Sequence, residues 1–589
     1  MNLKKYFNYY NATFPGEIQE KVKRKILIKM GLFGKNNIDK IPVELEVNTT
    51  FADVIKKKKE KILSKETSND FYIFNEKIDF EKEILDNNKD SKKWYLEKIS
   101  EYKDIKVTWE INRLQFLNYL VINNKEEKAI RLLNEWIENN PYNLGINWNS
   151  NLEVAIRSIS IINFIFKLRN KKLLEKYKNI LYFHGRHIYN DIFYTEKCIP
   201  NNHVIGEAAA LYCLGTFLEF KEKDRWILKA KEILKKYIFH FHRDGTYEEA
   251  SLSYHRFTLQ MYIMVYIFSK IVRDSFLNKE IEECLGVSLE FFNSIEKPNR
   301  EYPDFGDTDE GLYFLVLNKR KFSDFVKSLR MIFGQEKEYY GEIQELENIY
   351  NLKFDFLKNI EEIDKEFFKE GKYYCYKNEK NYIFIHNQNQ IYHSHSDGMS
   401  LELVLENKNV LIDSGTFNYN IDKNKRKYYR GTKSHNTVWL GEDQSLQIGS
   451  FRWTNNLKQT MDFNVSQEKR IVTGEIVLKN KKHKRNIELN KNLTEIRIED
   501  DIVNTSNFEL NWIFSNEISI EKINKDIFRI NPICYEIEIS SENNLDIEMC
   551  DVFYSLRYNE EIKGKKIKIF SKKECKDIKI ITKIRKEKI

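Results

Sequence analysis

Apolar residues recur at three- and four-residue spacing through roughly the first 365 positions of the 589-residue chain, the pattern of helices with a buried face. It predicts helices over Ile105–Val121, Glu127–Asn139, Leu152–Leu168, Leu173–Phe193, Val204–Phe220 and Leu252–Ile271. Proline is nearly absent from them. Pro141, Pro200, Pro298 and Pro303 fall instead in the polar breaks, where they stop or start a helix. Many amphipathic helices of similar length joined by short polar turns predict stacked helix pairs in a toroid or solenoid, and no strict repeat marks a common repeat family. From about residue 366 the period changes. KYYCYKNEKNYIFIH, SLELVLE, NVLID, RIVTGEIVLKN, TEIRIEDDIV and KKIKIF alternate apolar with polar or are rich in Val, Ile, Tyr and Thr, which predicts short strands in an antiparallel sandwich. The expected organisation is a helical (α/α) domain over residues 1–365 and an antiparallel β domain over 366–589, with the boundary near 360 to 372.

Length and composition add little to that picture. The length suggests roughly four domains or two large ones. The net charge of +8 favours an acidic partner such as an anionic polysaccharide or a nucleic acid. Lys, Asn and Ile are abundant throughout, however, so no domain-sized basic face follows, and no nucleic-acid motif is present. The seven cysteines (Cys198, Cys213, Cys284, Cys375, Cys534, Cys550 and Cys575) form no CxxC and suit a reducing compartment. The N-terminus carries two lysines without the apolar core of about 7 to 15 residues that a secretion signal needs. No run approaches the ~18 apolar residues of a membrane span, and a cytoplasmic location is expected.

Candidate chemistry concentrates between His393 and His435, where three of the eleven histidines fall. On a strand, His393 and His395 would share a face and point into one site. That spacing suits two metal ligands, or a ligand and a base. Asp413 sits where the predicted strand Asn409–Asp413 runs into a turn, and His435 lies in a polar turn before Val438. Two histidines and one aspartate from three strand ends make a divalent-metal set and leave one histidine for chemistry. In the helical half, Asn201, Asn202 and His203 stand in a loop that leads into a helix. One asparagine is accounted for as an N-cap, which leaves the other and the histidine. Tyr254 and His255 lie near the start of another helix.

These stretches together resemble the heparinase II/III family of polysaccharide lyases. The resemblance is carried by GINWNSNLEVAIRSIS (Gly145 to Ser160), NNHVIGEAAAL (Asn201 to Leu211), DGTYEEASLSYH (Asp244 to His255), PDFGDTDEG (Pro303 to Gly311), HSHSDGMSLEL (His393 to Leu403), VLIDSGT (Val410 to Thr416) and YYRGTKSHNTV (Tyr428 to Val438). It implies an incomplete α/α toroid joined to a β-sandwich, with the site in the cleft between them. By resemblance, Asn202 with His203 neutralises a uronate carboxylate, and Tyr254 delivers a proton to the leaving glycosidic oxygen, with His393 facing it. His395, Asp413 and His435 match ligands of a divalent metal, zinc favoured, that shapes the site. Arg157 and Arg430 fall in family-like blocks and are expected to contact the acidic sugar.

The implied reaction is β-elimination on a uronate-containing polysaccharide or oligosaccharide. A proton beside a carboxylate is weakly acidic unless the growing charge is stabilised, and preorganised donors are commonly worth about 3 to 4 kcal/mol each. A tyrosine with a pKa near 10 is ionised to about one part in a thousand at neutral pH, so Tyr254 is expected as general acid. The base is Tyr254 itself or His393, according to the configuration of the uronate. The rival expectation is a uronate C5-epimerase, which returns the proton to the other face. A non-catalytic glycan-binding protein ranks below both, because Asn202, Tyr254 and the His-x-His pair are all present.

Overall fold

The computed structural model describes residues 13–33, 40–56, 71–74, 76–85, 92–102, 104–354, 356, 365–449, 451–454, 457–466, 469–505, 507–571 and 577–587. The stretch 1–12, part of the expected domain boundary at 357–364, and Cys575 lie outside the described residues. Helices dominate up to Tyr350 and strands from Phe367 onward, as the change of hydrophobic period predicts. The fold is an α/α toroid followed by an antiparallel β-sandwich. Among the described residues no helix is long and apolar enough to cross a membrane.

The helices that position the site are α1 (Glu17–Lys29), α2 (Asn151–Leu168), α3 (Lys171–Cys198), α4 (Asn202–Phe217), α5 (Leu252–Ile271) and α6 (Asn278–Ile295). Helix α4 is buried along nearly its whole length and packs against α2, α3, α5 and the helix Lys223–Tyr237. A helix apolar on every side belongs inside a domain, and the run Ala208, Ala209, Ala210 lets these neighbours come close. Three predicted helices end differently from expectation, of which Leu173–Phe193 runs on to Cys198. Ile105–Val121 is not continuous: it breaks into Ile105–Asn112 and Phe116–Ile122, with Leu114 at φ 58° between them. The Gln115 side chain there donates to the Leu312 carbonyl at 2.7 Å, so a tertiary bond competes with the helix. The predicted Val204–Phe220 helix stops at Phe217, because Leu218–Glu219 pairs with Glu46–Val47 as strands.

Two large antiparallel sheets form the sandwich. One runs from Asp546–Tyr554 at one edge to Phe367–Phe368 at the other; the second runs from Leu457–Ser466 to Ser519–Lys522. The first contains β1 (Tyr373–Lys377), β2 (Tyr382–His386), β3 (Ser400–Leu405) and β4 (Lys408–Leu411) in adjacent positions. Strand β2 shows why YIFI reads as an unbroken apolar run. Ile383 and Ile385 pack between the sheets, while Tyr382 and Phe384 join the core shared with the helices. Both faces are covered, so neither is polar. The Tyr382 hydroxyl donates to the Ile295 carbonyl at 3.0 Å and Lys377 Nζ to the Asn293 carbonyl at 2.6 Å. The sheet thus caps the carbonyl end of α6.

Candidate active site

Every element of the site ends at the seam between toroid and sandwich. On the toroid side, Asn201 is the N-cap of α4, its side chain accepting from the His203 N–H at 3.1 Å, which makes Asn202 the first helical residue. The Asn202 backbone and side-chain N–H groups both donate to Glu249, at 2.7 and 2.8 Å. Its side-chain oxygen is buried and without a hydrogen-bond partner. Tyr254 lies in the first turn of α5, where its N–H donates to the cap residue Ser251 at 3.3 Å. His255, next to it, turns inward to Ser288 at 3.0 Å among Phe291 and Phe292 and belongs to the core.

The Tyr254 phenol donates to Asp309 Oδ2 at 3.1 Å and meets the Tyr419 hydroxyl at 3.3 Å. Its ring stacks on His393, centroids 3.5 Å apart and planes 11° apart. Burial raises the Tyr254 pKa well above its ordinary value, and Asp309 and Asp307 add to the rise. The phenol therefore stays protonated near neutral pH. Burial alone would raise Asp309 too, but Lys106, at 2.8 Å, and Arg113 outweigh it and hold the carboxyl at about 2.

On the sandwich side, His393 and His395 do not lie on a strand as predicted. They occupy an irregular loop between β2 and β3 and still reach one site, because both bind one carboxylate. His393 Nδ1 lies 3.0 Å from Asp307 Oδ2 and His395 Nε2 3.1 Å from Asp307 Oδ1. The carboxylate only accepts, so His393 carries a proton on Nδ1, while its Nε2 lies 3.7 Å from Glu249 Oε2. Arg426, on α7 (Lys423–Arg430), donates to both oxygens of Asp307 at 2.6 Å. Burial opposes ionisation of Asp307, yet Arg426, His393 and His395 keep its pKa well below the carboxylate range. Gly306 makes this approach possible. Its φ is 68°, and a Cβ there would sit 2.3 Å from the Ala250 oxygen and 2.9 Å from the His393 oxygen.

His395, Asp413 and His435 present ligand atoms that all lie within 4.8 Å of one another. Asp413 follows β4, which ends at Leu411 rather than at Asp413 as predicted, and its Oδ2 is 2.7 Å from His435 Nδ1. Burial depresses the His395 pKa, partly offset by Asp307. At His435 burial is outweighed by Asp413, which lifts it to about 9. His395 Nδ1 and His435 Nε2 are buried without hydrogen-bond partners, and two imidazoles with a carboxylate suit a divalent cation. Asp307 behind His395 is the carboxylate expected behind a metal-bound histidine. His386 and Asp397 form a second such group through the same Asp413.

Other expected site residues separate here. His203 is half-buried at the start of α4; burial and then His393 lower its pKa to about 4, so it is neutral near pH 7. Arg430 is fully buried and donates to the carbonyls of Tyr392 and Ser394 at 2.7 and 3.0 Å, with its guanidinium over the Trp453 ring. It braces the His393 loop. Arg157 is not brought to the seam contacts at all. It is fully buried, donates to the Asn112 and Asn147 carbonyls at 3.0 and 2.6 Å and lies over Trp136. Sequence reasoning assigned no role to Asp307, Asp309, Glu249, Arg426, Tyr419 or Lys106. The alternating acids after Gly306, in GDTD, were the available signal for the first two.

Family models and solved structures place the protein among polysaccharide lyases built from a toroid and a sandwich. Residues 24–339 match the family model described as heparinase II/III N-terminus, and residues 362–558 that described as heparinase II/III-like, C-terminal. The chain belongs to the heparinase II/III family. A solved heparinase III is similar over 97% of this chain and 92% of its own, at 15% identity and a TM-score of 0.62. A second heparinase III structure covers 86% and 83%, at 17% identity and a TM-score of 0.59. A heparan sulfate lyase mutant from Pedobacter heparinus covers 100% and 94%, at 17% identity and a TM-score of 0.55. No curated protein sequence matches the chain.

Proposed function

We propose that the protein cleaves an anionic, uronate-containing polysaccharide or oligosaccharide by β-elimination at the seam of its two domains, divided near residue 365. One observation supports the reading: the protonated Tyr254 phenol is stacked on His393, whose Nδ1–H is spent on Asp307 and whose Nε2 faces the Glu249 carboxylate at 3.7 Å. In the proposed reaction His203 and the second side-chain N–H of Asn202, whose first is held by Glu249, face the uronate carboxylate and stabilise charge growing on it. His393 Nε2 takes the C5 proton, the C4–C5 double bond forms, the C4–O4 bond breaks, and Tyr254 gives its proton to O4. Asp309 holds the phenol as a donor. Its negative charge opposes a resting phenolate, which favours Tyr254 as acid and His393 as base.

His395, Asp413 and His435 would hold the divalent cation, with zinc the ion best matched to two imidazoles and a carboxylate. Such an ion would supply fixed positive charge that orders the loops around His393. Arg430 then acts on the sugar indirectly, through the loop it braces.

The test is ultraviolet absorbance of the unsaturated product over time on a panel of uronate polymers, with the Tyr254→Phe protein alongside. A rise on one polymer that the variant lacks is the expected outcome. A flat trace on every polymer together with solvent deuterium at C5 would replace the lyase by the epimerase.

A further inference from the structure

Helix α1 is turned the opposite way from an ordinary amphipathic helix of the toroid. The helix Glu126–Asn139 shows the usual arrangement, with Ala129, Leu132, Leu133 and Trp136 fully buried. In α1 the inward side is charged. Glu17 is fully buried between Lys21 at 2.5 Å and Arg452 at 2.8 Å. Arg24 is held by both oxygens of Asp191 at 3.1 Å, and Glu20 lies 3.5 Å from Lys197. The outward side is apolar instead: Ile18, Val22, Ile26 and Met30, four residues apart, are 38, 49, 50 and 63% exposed, and Leu32 beyond them is 42% exposed. Single exposed apolar residues are ordinary, whereas a continuous row marks a surface that meets something.

The charges around the row select the occupant. At 3.6 residues per turn, Lys25 falls along one edge of the row, Lys23 along the other, and Lys29 at its C-terminal end. All three are exposed. Lys23 reaches Glu20 at 3.3 Å, while Lys25 and Lys29 have no ion-pair partner among the described residues. Both acids of the helix are turned inward and paired, so the outward face is apolar along its middle and positive at its edges. A second copy of the chain would set these lysines against their own equivalents. A polyanionic glycan would match the lysines and leave the apolar row in water. An anionic lipid surface satisfies both: the apolar side chains enter the acyl boundary, and the lysine stems lie along it with their ammonium groups among the phosphates.

We infer that α1 is an interfacial anchor that seats the protein on an anionic phospholipid surface. The helix has 13 residues, about 20 Å at 1.5 Å per residue, which is too short for a hydrocarbon core of about 30 Å. It therefore lies along the surface. Its inward ion pairs, Arg24 with Asp191 on α3 and Glu17 with Arg452 in the sandwich half, hold it to both parts of the chain, so the apolar face is presented by a fixed element.

The experiment is co-sedimentation of the full chain with phosphatidylcholine vesicles, with and without phosphatidylglycerol. The protein is expected to sediment with the anionic vesicles, to stay in solution with the neutral ones, and to be released as salt is raised. Val22→Gln with Ile26→Gln should weaken binding about tenfold, and Lys25→Gln with Lys29→Gln about thirtyfold. All four positions are exposed and glutamine is a good helix former, so circular dichroism should show both variants folded. Three results overturn the inference. The protein stays in solution with both vesicles; or the lysine variant loses binding while the apolar variant keeps it, which is adsorption by charge alone. The third is a dimer in solution that the apolar variant dissociates, with no binding to vesicles, which gives the face to a second copy.

Discussion

Tyr254 and His393 stack ring on ring, yet each is held by different means. Tyr254 stands in the first turn of a twenty-residue helix whose start is set by the Ser251 cap, a hydroxyl that also donates to the Asp307 carbonyl at 2.6 Å. His393 stands in a loop without regular structure. That loop depends on Arg430 binding its carbonyls, on Trp453 Nε1 donating to the Ser394 oxygen at 2.8 Å, and on Asp307 fixing the imidazole. All three holders are far away in sequence. The toroid therefore presents its proton donor from a rigid end, while the sandwich presents its base through a charged, buried network whose members fail together.

The sharpest test of that contrast is at the stack itself. Tyr254→Phe keeps the ring and removes only the proton, so turnover should fall about a thousandfold or more with the thermal midpoint nearly unchanged; a near-normal rate would move the proton transfer elsewhere. Asp307→Asn should act on both activity and folding. It removes the carboxylate that Arg426, His393 and His395 share, a loss of about 3 to 5 kcal/mol in denaturant unfolding, whereas Ser251→Ala on the toroid side should cost about 1 kcal/mol. Equal losses would erase the distinction between the two regions.

Removal of divalent ions by a chelator should lower the melting temperature, by the equivalent of about 2.7 kcal/mol for an ion present at a hundred times its Kd. His435→Ala should abolish that response, and elemental analysis of both proteins gives the stoichiometry. Arg430→Lys should lower kcat about tenfold with KM steady, because a lysine does not reproduce the guanidinium fork. A raised KM at constant kcat would return Arg430 to direct contact with the sugar.

A separate effect, seen only at low pH, concerns acid stability in the toroid. Burial holds His255 at about 3 in the folded protein, against about 6.5 for an unfolded histidine. Between these values the unfolded chain binds more protons, so stability falls as pH drops from about 6.5 toward 3. His255→Gln removes this contribution, and its stability should decline less steeply over that window.

Much of the site was legible as residue identity and little of it as arrangement. Asn201 was recognisable as a cap candidate and Tyr254 as a residue at a helix start, because both depend on neighbours within one turn. The His393 and His395 pair was legible as a pair, but their strand was not there. They converge because Asp307 lies between them, a contact over more than eighty residues of sequence. Arg157 sits in a block that resembles the family, and nothing local distinguishes a sugar-binding arginine from one enclosed by Trp136 and Trp148. Burial made that distinction.

By itself, the sequence determined the two-part architecture, since a period near 3.6 and a period near 2 are properties of local geometry. It also determined the chemical inventory of the seam: one phenol, four histidines and an amide in recognisable blocks. Tertiary structure alone decided which groups are charged, which nitrogen of His393 is held by Asp307, and which arginines are braces. Those outcomes depend on burial and on opposite charges from distant segments, and both arise only when the sandwich closes on the toroid.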